Sequence, residues 1–267
     1  MSRNLLRLLV ARNALFVATT ALLLGGFEFL ICAAVASVDV AGAIETLMQS
    51  LPPMFQALAS DQFFGGFSKS GLLAFGWAHP IAQALGAALA IALATQAVAG
   101  EVESGTIELT LAQPLSRSSY LAAQVVFALA ALGFATLAGL AGTLIGQRVY
   151  GLPPFDAGRL LRFGLDYLLF QSAWFGLTLT FSAWGREAGR VALPGFLLAL
   201  VSYLVHVIGS MWDAWKPLVP WTLHAYYSPQ EILVQGAAVG RPLTVLCGVT
   251  AASLAVAWWR FRQRDLP

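Results

Sequence analysis

Ser119-Tyr-Leu-Ala-Ala-Gln-Val-Val-Phe-Ala-Leu-Ala-Ala-Leu-Gly-Phe-Ala-Thr-Leu-Ala-Gly-Leu-Ala-Gly-Thr-Leu-Ile-Gly146 runs from end to end without one charged side chain. About 20 mostly apolar residues in a helix cross the hydrocarbon of a bilayer, and this run exceeds that. Working outward from it, five further stretches have the same character, at 13–37, 72–99, 164–184, 191–210 and 242–259. The whole chain agrees: 58% of its 267 residues are hydrophobic and 10% charged, against about 45–50% and 25% in soluble domains. Lipid offers no partner to a bare backbone amide, so segments of this kind must satisfy their own hydrogen bonds as helices. The expected fold class is therefore all-α integral membrane, with six transmembrane helices in one transmembrane domain over 1–267.

Charge orients the spans. Arg and Lys in short loops are retained on the cytoplasmic side. With the N-terminus inside, Arg3, Arg7, Arg12, Arg117, Arg186, Arg190, Arg260, Arg262 and Arg264 fall on inner segments, and Lys69, Arg148, Arg159, Arg162, Lys216 and Arg241 on longer outer ones. The sequence thus predicts a multi-pass protein of the cytoplasmic (inner) membrane with both termini in the cytoplasm. Residues 1–12, basic and apolar by turns, read as an amphipathic elbow helix entering the first span. A formal charge of +2 without a basic stripe argues against nucleic acid as a partner. Cys32 and Cys247 sit in apolar runs and read as small hydrophobes.

The two long outer connections, 38–71 and 211–241, are expected to form short interfacial or re-entrant helices. The first holds an amphipathic stretch from Ile44 to Phe55 broken at Pro52-Pro53, and the second carries Trp212, Trp215, Trp221, Tyr226 and Tyr227.

Between the second and third spans the apolar habit breaks, and three of the 13 acids fall together at Glu101, Glu103 and Glu108. Thr106 to Gln113 can form two helical turns with acids toward the positive end and Pro114 as terminator; Ile107 and Leu111, four apart, share a face. A short helix held at the cytoplasmic surface by two spans can move as a rigid body when a soluble partner pushes it. An ordinary inner loop with one capped helical turn fits the same residues.

In wording, this loop resembles the permease subunits of type-two ATP-binding-cassette exporters, which carry a signature of acids, Gly-Thr, Leu, Pro and Arg before the third span. Glu101, Glu103, Gly105, Thr106, Glu108, Leu111, Pro114 and Arg117 stand at its places. The resemblance implies a cytoplasmic coupling helix meeting an ATPase through these residues and Ile107. It also implies two partners, a nucleotide-binding subunit and a second permease, alike or different, in contact with membrane lipids. No cofactor is expected on this chain: it has no Gly-x-x-x-x-Gly-Lys-Ser/Thr, and its lysines, Lys69 and Lys216, lie in outer loops. ATP and Mg belong on the partner, so this subunit is not expected to be an enzyme. The competing class is an ATP-independent secondary transporter or channel, which would need an inverted repeat or matched broken helices.

Polar residues inside the spans are candidates for a substrate pathway. Glu28 lies deep in the first span, where a carboxylate is costly unless paired, hydrated or neutral. His79, Tyr203 and His206 could line a cavity, or be satisfied within the core. Gly139, Gly142 and Gly146 allow close helix approach, within the monomer or across a dimer seam. There is no metal-ligand spacing and no nucleophile elbow.

Overall fold

The computed structural model describes residues 3–39, 42, 68–112, 115–238 and 240–264. The expected Ile44–Phe55 segment and Pro114 lie outside these. Among the described residues the protein is all-helical. Its main helices are α1 (Arg3–Ser37), α2 (Lys69–Ala78), α3 (Pro80–Thr95), α4 (Thr106–Leu111), α5 (Arg117–Val149), α6 (Ala157–Trp184), α7 (Ala188–Met211), α8 (Pro229–Leu233) and α9 (Gly240–Gln263). Five units are long and apolar enough to cross a membrane: α1, the α2–α3 unit through Glu103, α5, α7 and α9. The sixth expected stretch belongs to α6, the centre of the bundle, packed on α3, α5, α7 and α9.

α6 begins at Ala157, seven residues before the apolar stretch at 164, because Asp156 caps it by accepting the Arg159 backbone N–H at 3.0 Å. Arg159 then donates to the carbonyls of Leu233 (3.3 Å) and Val234 (2.5 Å), satisfying acceptors at the C-terminal end of α8. The expected elbow is not a separate element: α1 is one unbroken helix of 35 residues. No Gly or Pro interrupts it before Gly25, and Asn13 bonds back to the Leu9 carbonyl at 2.9 Å rather than capping a new start. At about 52 Å this helix outreaches the hydrocarbon, so its basic first turns project beyond it.

The second apolar stretch is broken at His79. A residue before proline is pushed out of the helical region, and proline suits the first position of a new helix. His79 accordingly adopts φ −64, ψ 139, its Nδ1 accepts the Ile81 N–H at 3.3 Å, and α3 starts at Pro80. Gln83 Nε2 donates to the Ala78 carbonyl at 2.8 Å, bridging the break. Below α3 the chain widens into one π turn, Gln96–Gly100. Ser182 on α6 holds it, accepting from Ala99 N–H (2.9 Å) and donating to the Thr95 carbonyl (3.1 Å).

α1 and α5 form the most intimate seam of the bundle. Their backbones meet at Gly25 and Gly142, where a methyl group on Gly142 would fall on the Gly25 carbonyl. One on Gly146 would fall on Cys32, and one on Gly139 on Trp77 and Leu24. The glycine row therefore packs inside the monomer, resolving the two options left by its spacing. Beside it, Trp77, Phe163, Tyr167, Phe170 and Tyr227 build an aromatic core; Phe170 and Tyr227 stack with centroids 4.6 Å apart. Such pairs add about 0.5–1.5 kcal/mol each beyond the area they bury.

The connection after α7 is made of two 3-10 segments, Asp213–Trp221 and Leu223–Tyr226, followed by α8. Trp212 and Trp221 are exposed on it, as a boundary layer requires, while Tyr227 turns inward and donates to the Trp77 carbonyl at 3.0 Å.

Candidate functional site

The acidic loop is tied to the bundle by its own side chains. Glu101 leaves the π turn pointing inward and is buried, paired with Arg12 of α1 and accepting from the Thr106 hydroxyl. Ser104 Oγ lies 2.8 Å from Thr106 Oγ1 and donates to the Gly100 carbonyl at 2.8 Å. Glu103 Oε2 accepts the backbone N–H of Ala188 at 2.7 Å, the first residue of α7, whose own Glu187 supplies no side-chain cap. A carboxylate there satisfies an orphan donor and meets the positive helix end. Ile107 is 1% exposed and belongs to the apolar core.

These positions correct the expectation that all three acids and the Ile107 face lie free for a partner. Glu101 and Ile107 are buried within the chain, and Glu103 is exposed but bonded to Ala188; Ser104, Gly105 and Glu108 are exposed beside it. α4 ends at Leu111, two residues before the expected Gln113, and of Leu111 only the backbone is described. Arg117 Nη1 donates to the carbonyls of Arg262 (3.3 Å) and Arg264, and Arg264 Nη1 to those of Ser182 (3.4 Å) and Ala183 (3.1 Å). The starts of α5 and α7 and the ends of α6 and α9 are thus tied to one another or to the acidic loop at this end of the bundle.

Gly105 precedes α4 at φ +70, and nothing lies within 4 Å of a Cβ added there. Substitution then acts through backbone conformation alone. Gly105→Val is expected to destabilise by about 2 kcal/mol, and Gly105→Asn, which tolerates the left-handed region, by less than about half of that. Equal thermal stabilities for the two variants in detergent would refute this.

At the opposite end of the bundle two cavities adjoin. One, of about 420 Å³, is lined by Phe75, Gln83, Tyr203, His206, His224 and Glu231 among others. The second, of about 330 Å³, lies deeper between α3, α6 and α7, walled by Ala84, Ala87, Ala88, Trp174, Phe196 and Leu200. Gln83, Tyr203 and His224 line both. Of the pathway candidates, Tyr203 and His206 are here, one helical turn apart on α7. Glu28 and His79 line neither cavity. Glu28 is sealed between α1 and α5: Thr143 Oγ1 is 3.5 Å from its Oε2 and accepts from Trp77 Nε1 at 3.2 Å. His79 packs on Phe27 at 5.4 Å.

Gln83, His224, Glu231 and Asp166 are absent from the sequence-derived candidates. Asp166 carried the same signal as Glu28, an acid inside an apolar stretch; it is fully buried, and neither carboxylate oxygen has a hydrogen-bond partner among the described residues. His224 bonds Ser202 Oγ through Nδ1 at 2.8 Å, and burial, then neighbouring His206, pushes its pKa down to about 3. It is therefore uncharged at neutral pH.

Long apolar helices packed around a mainly apolar core define a multi-pass α-helical membrane protein. The model of the ABC-2 family transporter proteins matches residues 6–266, and the chain belongs to that family. Its class is that of an ABC transporter permease, a transport component rather than a catalytic one. No curated protein matches the chain.

Proposed function

We propose that this chain is the membrane-spanning subunit of an ATP-driven exporter in the cytoplasmic membrane, with α6 as a sixth span and both termini inside. A separate nucleotide-binding subunit hydrolyses ATP, with Mg, and docks on the loop from Glu101 to Arg117; a second permease, identical or different, completes the pore. The observation that carries this reading is the clamping of the 101–108 segment that leads into α4. Through Glu101 to Arg12, Glu103 to Ala188 and the packing of Ile107 on α4 itself, a push on that segment reaches α1, α7 and the core together. Glu108, exposed on α4, is the contact offered to the ATPase.

An ATP-independent transporter would draw on Glu28 as its coupling group. The sealing of Glu28 between α1 and α5, away from both cavities, weighs against that role.

The test combines topology with coupling. With Cys32 and Cys247 replaced, a cysteine at Ser118 or Arg186 is expected to label only from the cytoplasm, and one at Asp156 or Lys216 only from outside. Purified with its native neighbours, the permease should retain an ATPase subunit at about one to one. Glu108→Lys should uncouple hydrolysis while thermal stability stays within about 0.5 kcal/mol of wild type. Outside labelling at Arg186, or a Glu108→Lys complex with unchanged retention and transport, would overturn the assignment.

A further inference from the structure

We infer that the two adjoining cavities form one amphiphile-binding site, in which the outer chamber takes an ammonium headgroup and the alanine-walled chamber takes its alkyl chain. This rests on the permease reading and names the chemistry of what the permease holds.

The two chambers differ in the way the two ends of such a molecule differ. Each falls in the roughly 300–1,000 Å³ range of small-molecule sites. The inner one is walled by small and apolar side chains at the depth where α3 and α7 run through the bilayer. Ala84, Ala87 and Ala88 line it from α3, with little bulk of their own, together with Phe196 and Leu200 of α7 and Trp174 of α6. The outer one gathers polar and aromatic groups. The gate residues Gln83, Tyr203 and His224 belong to both, so a ligand polar at one end can lie through them.

Unspent hydrogen bonding marks the outer chamber as a ligand site. Gln83 is more than nine-tenths buried, its Nε2 is used on Ala78, and its Oε1 has no partner among the described residues. His206 Nδ1 is likewise buried and unpartnered there. A buried acceptor left unmade costs about 1–3 kcal/mol, which a bound donor recovers.

The sign of the headgroup follows from the lining. Glu231 is the one formally charged side chain on either wall among the described residues, and no Lys or Arg faces it there. With His224 uncharged, the chamber is lined by a carboxylate and by the aromatic side chains Phe75, Tyr203 and Tyr227. That set attracts an ammonium through charge and ring quadrupoles and repels a sulfate or phosphate.

The probes are dodecylammonium, whose headgroup carries the N–H donors those acceptors need, and dodecyl sulfate, each carrying a diazirine in the chain, with the permease in nanodiscs of neutral lipid. The ammonium probe is expected to label Ala84–Ala88 and Phe196–Tyr203 saturably, competed by its unlabelled form and not by the sulfate. Glu231→Gln should weaken competition about fivefold or more, the scale of a partly exposed ion pair assisted by rings. Ala87→Trp, which fills the inner chamber, should abolish saturable labelling while elution volume and thermal stability confirm the fold. Unsaturable labelling spread over the lipid-facing helices, equal competition by sulfate, or an unchanged Glu231→Gln would each overturn the site. Binding needs no ATPase, so these failures leave the export reading standing; saturable binding in a chain that retains no ATPase would sink export and keep the site.

Discussion

Glu101→Lys is expected to unfold the end of the bundle that carries the acidic loop, with a loss of about 3 kcal/mol or more in stability. The carboxylate is buried, and it holds the Arg12 guanidinium and the Thr106 hydroxyl at once. Reversal places an ammonium beside a guanidinium in a site that excludes water, and breaking a buried pair in this way costs about 3–5 kcal/mol. Arg12 is 47% exposed, which screens part of that cost and sets the estimate at the lower end. Glu101→Gln keeps the shape and the Thr106 contact while releasing Arg12 to solvent, so about 1–2 kcal/mol is expected. The charge-swapped pair Arg12→Glu with Glu101→Arg should recover part of the loss. Thermal unfolding in detergent reads all three. A Glu101→Lys variant as stable as wild type would show that the pair does not hold the loop. For the same reason, reversing Glu101, Glu103 and Glu108 together cannot isolate docking on an ATPase, whereas Glu108→Lys alone can.

The pattern of spans was readable because a lipid-facing helix leaves an unbroken apolar record. The stretches at 119–146, 191–210 and 242–259 lie inside α5, α7 and α9 with only their polar ends clipped. α6 read short because Arg159 and Arg162 occupy its first turns, where one serves α8 and the other bonds back to the Gly158 carbonyl. The stretch at 72–99 read as one span, although the steric demand of Pro80 on His79 is enough to explain the break there. The direction of Glu101 was not readable. Three acids in one loop look solvated in sequence, and the partner that draws Glu101 inward stands 89 residues away. The cavity escaped for the same reason, since its Gln83, Tyr203, His224 and Glu231 come from four elements that only packing brings together. Asp166 was as legible as Glu28, since both are acids inside apolar stretches.

The second large effect is expected on the α1–α5 seam, where Gly142→Leu should cost about 3 kcal/mol or more and leave little monodisperse protein. Helices in lipid gain nothing from burying apolar surface against each other, so their association depends on close backbone approach and interhelical bonds. At Gly142 the neighbouring atoms are the backbone of Gly25, which cannot rotate aside as a side chain can. A leucine must therefore part the helices, and overpacking of this kind already costs about 1–3 kcal/mol before other contacts are lost. Those contacts include the bond from Trp77 to Thr143 and the one from Thr143 to Glu28; losing the second leaves the buried carboxylate with no donor among the described residues. Gly133→Leu is the control on the same helix, because a Cβ there meets nothing within 4 Å. It should behave as wild type. If the glycine row were instead a seam between two permeases, Gly142→Leu would leave a stable monomer and abolish only the dimer, an outcome that size-exclusion chromatography with multi-angle light scattering separates from loss of fold.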